Sequence, residues 1–202
     1  MTHNAAPLDV GTAERTSHFD EDSELACQAV NGAPEAFGRL VAKYQSSIYN
    51  YALYFFRDPT LAEDIAQETF LRAFRFLRTY DPRRRFATWL YAVARNLCID
   101  THRRGSRWGL VDIEAVPPSR LLGATSRTTP LEDLEDRENR QRLLRALHSL
   151  PEKYKTPIIL CYLEGLPYQE ISDILGISLN NTKIRIFRGK KKILEALGLA
   201  EE

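Results

Sequence analysis

The sequence has no stretch approaching the roughly 20 consecutive apolar residues that a membrane span requires, so no membrane insertion is expected. The opening segment MTHNAAPLDVGTAERTSHF lacks the basic start and apolar centre of a secretion signal; residues 1–19 read as a disordered extension and the protein as cytoplasmic. Cysteine is scarce. Cys27, Cys98 and Cys161 stand far apart, and none belongs to a CxxC pair. That spacing argues against a disulfide framework and against a zinc site, and their apolar helical surroundings make buried thiols the expectation. The histidines (His3, His18, His102 and His148) are scattered, and neither a carboxylate cluster nor a glycine-rich phosphate loop appears. No metal, no cofactor and no enzymatic activity are expected. Strands are missing as well, since no segment alternates with period two over enough length.

Net charge is also small, at +1, but its distribution is uneven. Arg72 to Arg107 holds ten arginines against two acids, Asp81 and Asp100. Lys183 to Lys192 holds six basic residues and no acid, and the intervening Asp112 to Glu138 holds seven acids against three arginines. Two basic regions separated by an acidic one imply two polyanion-binding surfaces.

What the chain does have is helical periodicity. Ser23 to Tyr54 places Phe37, Leu40, Val41, Tyr44, Ile48, Tyr51 and Ala52 at helical spacing, with a restart at Ala33-Pro34-Glu35. Arg57-Asp58-Pro59-Thr60 breaks the pattern, and Thr60 with Glu63 fits a capping box. The next helix, to about Arg78, carries Ile65, Phe70 and Leu77 on its apolar face and Asp64, Gln67, Glu68 and Leu71 opposite. Thr79-Tyr80-Asp81-Pro82 ends it, and Phe86 to about Arg104 forms another. From about Gly105 to Asp136 periodicity fades among glycines, prolines, serines and threonines. A structureless stretch that long separates domains. Helices follow over Glu138–Leu147, Pro151–Glu164 with a bend at Pro157, Tyr168–Leu175 and Ser178–Leu197. The expected fold class is all-α, with small helical domains at 20–107 and 138–198 joined by a flexible linker over 108–137.

Tyr168 to Ser178 has the form of a helix-turn-helix. Ile171, Ile174 and Leu175 face inward, Ser172 is small enough for a close crossing, and Gly176 tolerates the positive φ of the turn. Ile177 plugs the corner and Ser178 can cap the next helix. That helix presents Asn180, Asn181, Lys183, Arg185, Arg188, Lys190 and Lys191, side chains that bond base edges in the major groove or neutralise phosphates. In the first domain, Arg83, Arg84 and Arg85 with Tyr80 and Phe86 supply the cationic track and aromatic surface that an unstacked single strand needs.

Three runs carry a resemblance to a known family. The run from Asp58 to Phe74 (DPTLAEDIAQETFLRAF) resembles the polymerase-binding helix of alternative sigma factors of the extracytoplasmic-function group. Phe86 to Asp100 (FATWLYAVARNLCID) is similar to the helix that follows that family's −10 recognition loop. Leu150-Pro-Glu-Lys-Tyr154 and Tyr162 to Ile171 (YLEGLPYQEI) resemble its C-terminal domain, whose helix-turn-helix reads the −35 element. The resemblance covers roughly residues 20–107 and 138–198, in order and in spacing.

The resemblance implies that Asp64, Gln67, Glu68, Leu71 and Phe74 dock on a coiled coil of the largest subunit of core RNA polymerase, with the flap region as a further contact. It implies that the loop Tyr80 to Phe86, with Arg83, Arg84 and Arg85, captures a flipped base of the −10 strand, and that Arg95, Asn96 and Arg103 contact that strand. Trp89 reads as core. Ser178, Asn180, Asn181, Lys183, Arg185, Arg188 and Lys191 are the implied contacts to −35 duplex. An anti-sigma factor is the implied regulatory partner, and the linker is implied to thread toward the polymerase active site. The chain departs from the family at Asn180-Asn181-Thr182, where Gly-Thr-Val is common, and at Ile184, where a small polar residue is frequent. Base preference there does not carry over. The alternative reading is a stand-alone helix-turn-helix regulator, which would have no use for the Asp64/Gln67/Glu68/Leu71 face.

Overall fold

The structure is a computed structural model that describes residues 12–107 and 130–199, with side-chain surroundings for 21–104 and 138–199. Among the described residues every regular element is helical: α1 (Thr12–Val30), α2 (Pro34–Phe56), α3 (Pro59–Phe76), α4 (Phe86–Arg107), α5 (Pro130–Ser149), α6 (Glu152–Ile158), α7 (Tyr168–Leu175) and α8 (Leu179–Leu197). None is long and apolar enough to cross a membrane.

The first four helices pack as one unit. Alanines at 62, 66 and 73 line the inner face of α3 and let α2 approach closely, and Leu40, Ile48, Tyr51, Phe55, Ile65 and Leu90 fill the space between. Fully burying each such side chain is worth roughly 1.5–3 kcal/mol. The α3 cap differs from the one expected. Asp58, not Thr60, is the N-cap, and its carboxylate accepts from the Thr60 and Leu61 amides at 2.9 and 3.1 Å. Pro59 at the first helical position explains the shift, because its missing N–H would find no partner there anyway.

Two boundaries also move. The helix expected from Ser23 begins at Thr12, inside the segment read as a disordered extension. The helix expected from Glu138 begins at Pro130, again a proline at a helix start. The remainder of the expected extension and linker, residues 1–11 and 108–129, lies outside the described residues.

In the second unit, Pro157 interrupts α6, which widens into a π-turn over Ile159–Leu163. There the Glu164 amide donates to Ile159 O at 3.1 Å, five residues back. Widening of this kind is one way a helix accommodates a proline that removes a donor. Gly189 of α8 sits hard against α6, where a Cβ would lie 2.8 Å from Ile158 Cγ1. The units are not separate bodies on a string. Helix α7 lies against α4, and the π-turn lies against α2, within one continuous buried cluster.

Candidate functional site

Three surfaces carry the residues singled out in the sequence. On α3, burial of Ala62, Ile65, Ala66, Thr69, Phe70 and Ala73 turns the opposite face outward. Asp64 and Gln67 are exposed there, and Glu68 is half-buried and accepts from Arg72 Nε at 2.7 Å. Leu71 is 64% exposed and Phe74 52%. Phe74 is therefore not core, although its ring leans on Phe37 at 5.1 Å between centroids. Gln67, Leu71 and Phe74 border a groove between α2 and α3, which Phe37, Val41, Tyr49 and Glu63 also line, whereas Asp64 and Glu68 lie outside it. Two large apolar side chains held in water beside an acidic edge make a surface suited to a partner, not to solvent.

The second surface is the segment from Tyr80 to Arg85, irregular as expected. Its aromatic residues, however, point inward. Tyr80 is 8% exposed and Phe86 1%. The Tyr80 hydroxyl donates to Arg84 O at 2.6 Å, and Ser23 of α1 donates to it at 2.8 Å. Tyr80, Phe86 and the half-buried Trp89 stack as a triangle with centroids 5.5–5.7 Å apart. Burial raises the Tyr80 pKa, so this hydroxyl stays protonated and able to donate. Behind it Asp22, buried, accepts from Lys43 and from the Tyr44 hydroxyl.

Two of the three arginines are held by acids. Arg83 is held by Asp81, whose two carboxylate oxygens each accept at 3.0 Å, and this contact lowers the Asp81 pKa and raises that of Arg83. Arg85 donates to Glu170 of α7 at 3.0 Å. Arg84 is exposed. Along α4, Asn96 and Arg103 are exposed, and Arg72, Asp100, Arg103 and Arg104 border a small groove. Arg95 is half-buried, and its Nε–H finds no acceptor.

The third surface is the helix-turn-helix. Gly176 caps α7 at φ 65°, in the left-handed region that favours glycine, and Ile177 is half-buried at the corner. Ser178 Oγ accepts from the Asn181 amide at 3.3 Å and starts α8. Thr182, at the position where a polar residue departs from the family pattern, is fully buried, and its hydroxyl donates to Ser178 O at 3.2 Å. The departure is thus satisfied locally. Asn180, Lys183, Arg188 and Lys191 are exposed, and Asn181 and Arg185 are half-buried. Two apolar residues not counted among the expected duplex contacts share this surface: Phe187, 69% exposed, and Ile184, 41%. Their signal was present, because 180, 184, 187 and 191 fall on one helical stripe.

Of the cysteines expected to be buried, Cys98 is buried, while Cys27 and Cys161 are half-buried. Burial raises the thiol pKa of Cys98 and of Cys161. Among the described residues no group of His, Cys, Asp and Glu could hold a metal ion.

Comparison with known proteins places these surfaces in context. Residues 40–108 match the model of Sigma-70 region 2, and residues 140–193 that of Sigma-70 region 4. The chain is 32% identical to the ECF RNA polymerase sigma factor SigW of Bacillus subtilis, over 84% of this chain and 93% of that protein. It is also 32% identical to the RNA polymerase sigma-H factor of Pseudomonas aeruginosa, over 88% of this chain and 94% of that one. Among solved structures, CnrH in complex with the cytosolic domain of CnrY is similar, with a TM-score of 0.67 and 26% identity over 90% of this chain and 99% of that chain. RpoE of Bartonella quintana, in complex with the anti-sigma factor NepR, has a TM-score of 0.64 over 82% and 98% of the two chains; at 21% identity it speaks to fold alone.

Proposed function

The chain belongs to the extracytoplasmic-function sigma factors, which bind core RNA polymerase and direct promoter-specific initiation, and from that premise we propose how its surfaces divide the work. Residues 20–107 form the unit that docks on polymerase and engages the −10 strand, and 138–198 the unit that reads the −35 duplex. The observation that carries the reading is the outward set of Leu71 and Phe74, 64% and 52% exposed on a helix whose other face is core. A stand-alone regulator has no need for it.

Asp64, Gln67, Glu68, Leu71 and Phe74 meet the coiled coil of the largest subunit. Arg83, Arg84 and Arg85 take the phosphates of the −10 strand, with Asn96, Arg103 and Arg95 continuing along α4. Tyr80 and Phe86 act from beneath, as the aromatic base that fixes the loop. On α8, Asn180, Lys183 and Arg188 face the duplex with Asn181, Arg185 and Lys191, joined by Ile184 and Phe187, which suit thymine methyl groups. Ser178 sets the start of that helix. The protein works in the cytoplasm as a non-catalytic subunit, and an anti-sigma factor of the kind named for RpoE is its proposed regulator.

Permanganate footprinting tests the strand assignment. Replacing Arg83, Arg84 and Arg85 with Ala should leave polymerase binding intact and abolish thymine reactivity around the −10 element. Unchanged reactivity in the triple variant would refute it.

A further inference from the structure

The loop from Tyr80 to Phe86 buries both of its rings, so the aromatic face that an unstacked base needs must come from elsewhere. Among the described residues of the first unit, the exposed aromatic rings are Phe74 and Phe76, the latter 50% exposed. Side chains two positions apart on a helix of 3.6 residues per turn point about 200° apart, so the two rings serve different edges of α3. Phe74 leans on Phe37 of α2, at the edge proposed for polymerase. Phe76 shares the other edge with Arg72, one turn before it. Arg72 borders the groove that Asp100, Arg103 and Arg104 of α4 complete. The chain reverses between α3 and α4 over residues 77–85. One turn onward from Arg72 along α3 is therefore one turn back along α4, which brings Phe76 level with the exposed Asn96.

We infer that Phe76 is the platform on which one unstacked base of the −10 strand rests; this rests in turn on the strand-binding role proposed for α4. Its surroundings choose the partner. An apolar protein surface would need further apolar side chains at that edge, but the exposed or half-buried neighbours are Arg72, Arg75, Thr79, Asn96 and Arg103. Arginines on both sides of a bare ring suit a polyanion that also carries flat π faces, and a single strand is one. Every base has such a face, so the ring contributes to holding the melted strand more than to choosing its sequence. The ring is also held in place from behind. Leu77, next to it, is buried, and the Thr79 hydroxyl donates to Phe76 O at 2.7 Å where α3 tightens into its last turn. A platform fixed before the base arrives loses little freedom on binding.

Fork-junction DNA with a single-stranded −10 segment, taken from a promoter that the holoenzyme opens, tests the platform. Its affinity for core polymerase carrying the chain is measured with an intact strand and with one abasic site moved through the −10 positions. Phe76→Ala and Phe76→Leu should each bind the intact strand about tenfold more weakly than wild type, and Phe76→Trp should match wild type. Leucine keeps the apolar bulk, so a merely structural role would spare Phe76→Leu. An abasic site at one position should weaken wild type by a similar factor and leave Phe76→Ala unchanged, because the ring that met that base is already gone. Equal affinity of wild type and Phe76→Leu, or additive losses at every position, would overturn the platform. So would weaker assembly of Phe76→Ala with core polymerase in the absence of DNA, which would assign the ring to a protein partner. The Arg83/Arg84/Arg85→Ala variant separates the two claims. If it loses fork-junction binding while Phe76→Leu binds normally, the platform falls and strand binding stands; full affinity in both would remove the strand assignment as well.

Discussion

At the scale of single residues, exposure separates side chains that the sequence leaves in one class. Leu71 and Phe70 are neighbours of similar hydrophobicity, yet one is 64% and the other 8% exposed. Leu71→Asp should therefore abolish association with core polymerase in a pull-down. The thermal midpoint should barely change, since substitution of an exposed residue away from special features stays within about 0.5 kcal/mol. Tyr80 shows where residue-level reading stops. Its place beside three arginines suggested a stacking surface, but its hydroxyl spans Ser23 and the Arg84 carbonyl. Nothing local in the sequence signals a bond to a residue 57 positions away. Tyr80→Phe should cost about 1–2 kcal/mol in urea unfolding. It should also slow open-complex formation, because the loop loses the tie that sets its shape.

At the scale of elements, periodicity and turn chemistry were legible wherever a pattern had one solution. The helix-turn-helix was readable because Ser172, Gly176, Ile177 and Ser178 each have one fitting role at that spacing. The start of α3 had two solutions, since Asp58 and Thr60 both flank Pro59, and the proline's preference for the first helical position decides for Asp58. Asp58→Ala should thus lower stability by about 1 kcal/mol. Thr60→Ala, which removes no cap, should cost far less in the same denaturant series. Close approach of α8 to α6 was not legible, because a glycine inside a basic helix does not announce its neighbour. Gly189→Leu should destabilise by about 1–3 kcal/mol or more, since even a Cβ falls 2.8 Å from Ile158.

At the scale of the whole molecule, two helical units and the polyanion-binding character of each were readable from charge blocks and the fading of periodicity. Their mutual packing was not, because its anchors pair residues as far apart as Thr88 and Glu170, 82 positions along the chain. Lys155 is the clearest case. It sits in a run of ordinary polarity yet is 5% exposed, and burial lowers its pKa from 10.5 to about 8 against a smaller opposing pull from Glu152. Between those pH values the unfolded chain holds a proton that the folded one lacks, so stability rises with pH across that window. Below pH 8 both states are protonated and the full cost of the buried charge is present. Melting curves from pH 7.5 to 9.5 should show that rise, and Lys155→Met should flatten it.

The surfaces on α3, on the loop and on α8 have meaning together only if the chain confers promoter choice on polymerase. Transcription of genomic DNA in vitro by core polymerase with the purified chain, followed by sequencing of transcript 5′ ends, measures that directly. The expected result is a set of start sites sharing one pair of −10 and −35 elements, lost with Leu71→Asp. Start sites no different from those of core polymerase alone would contradict it.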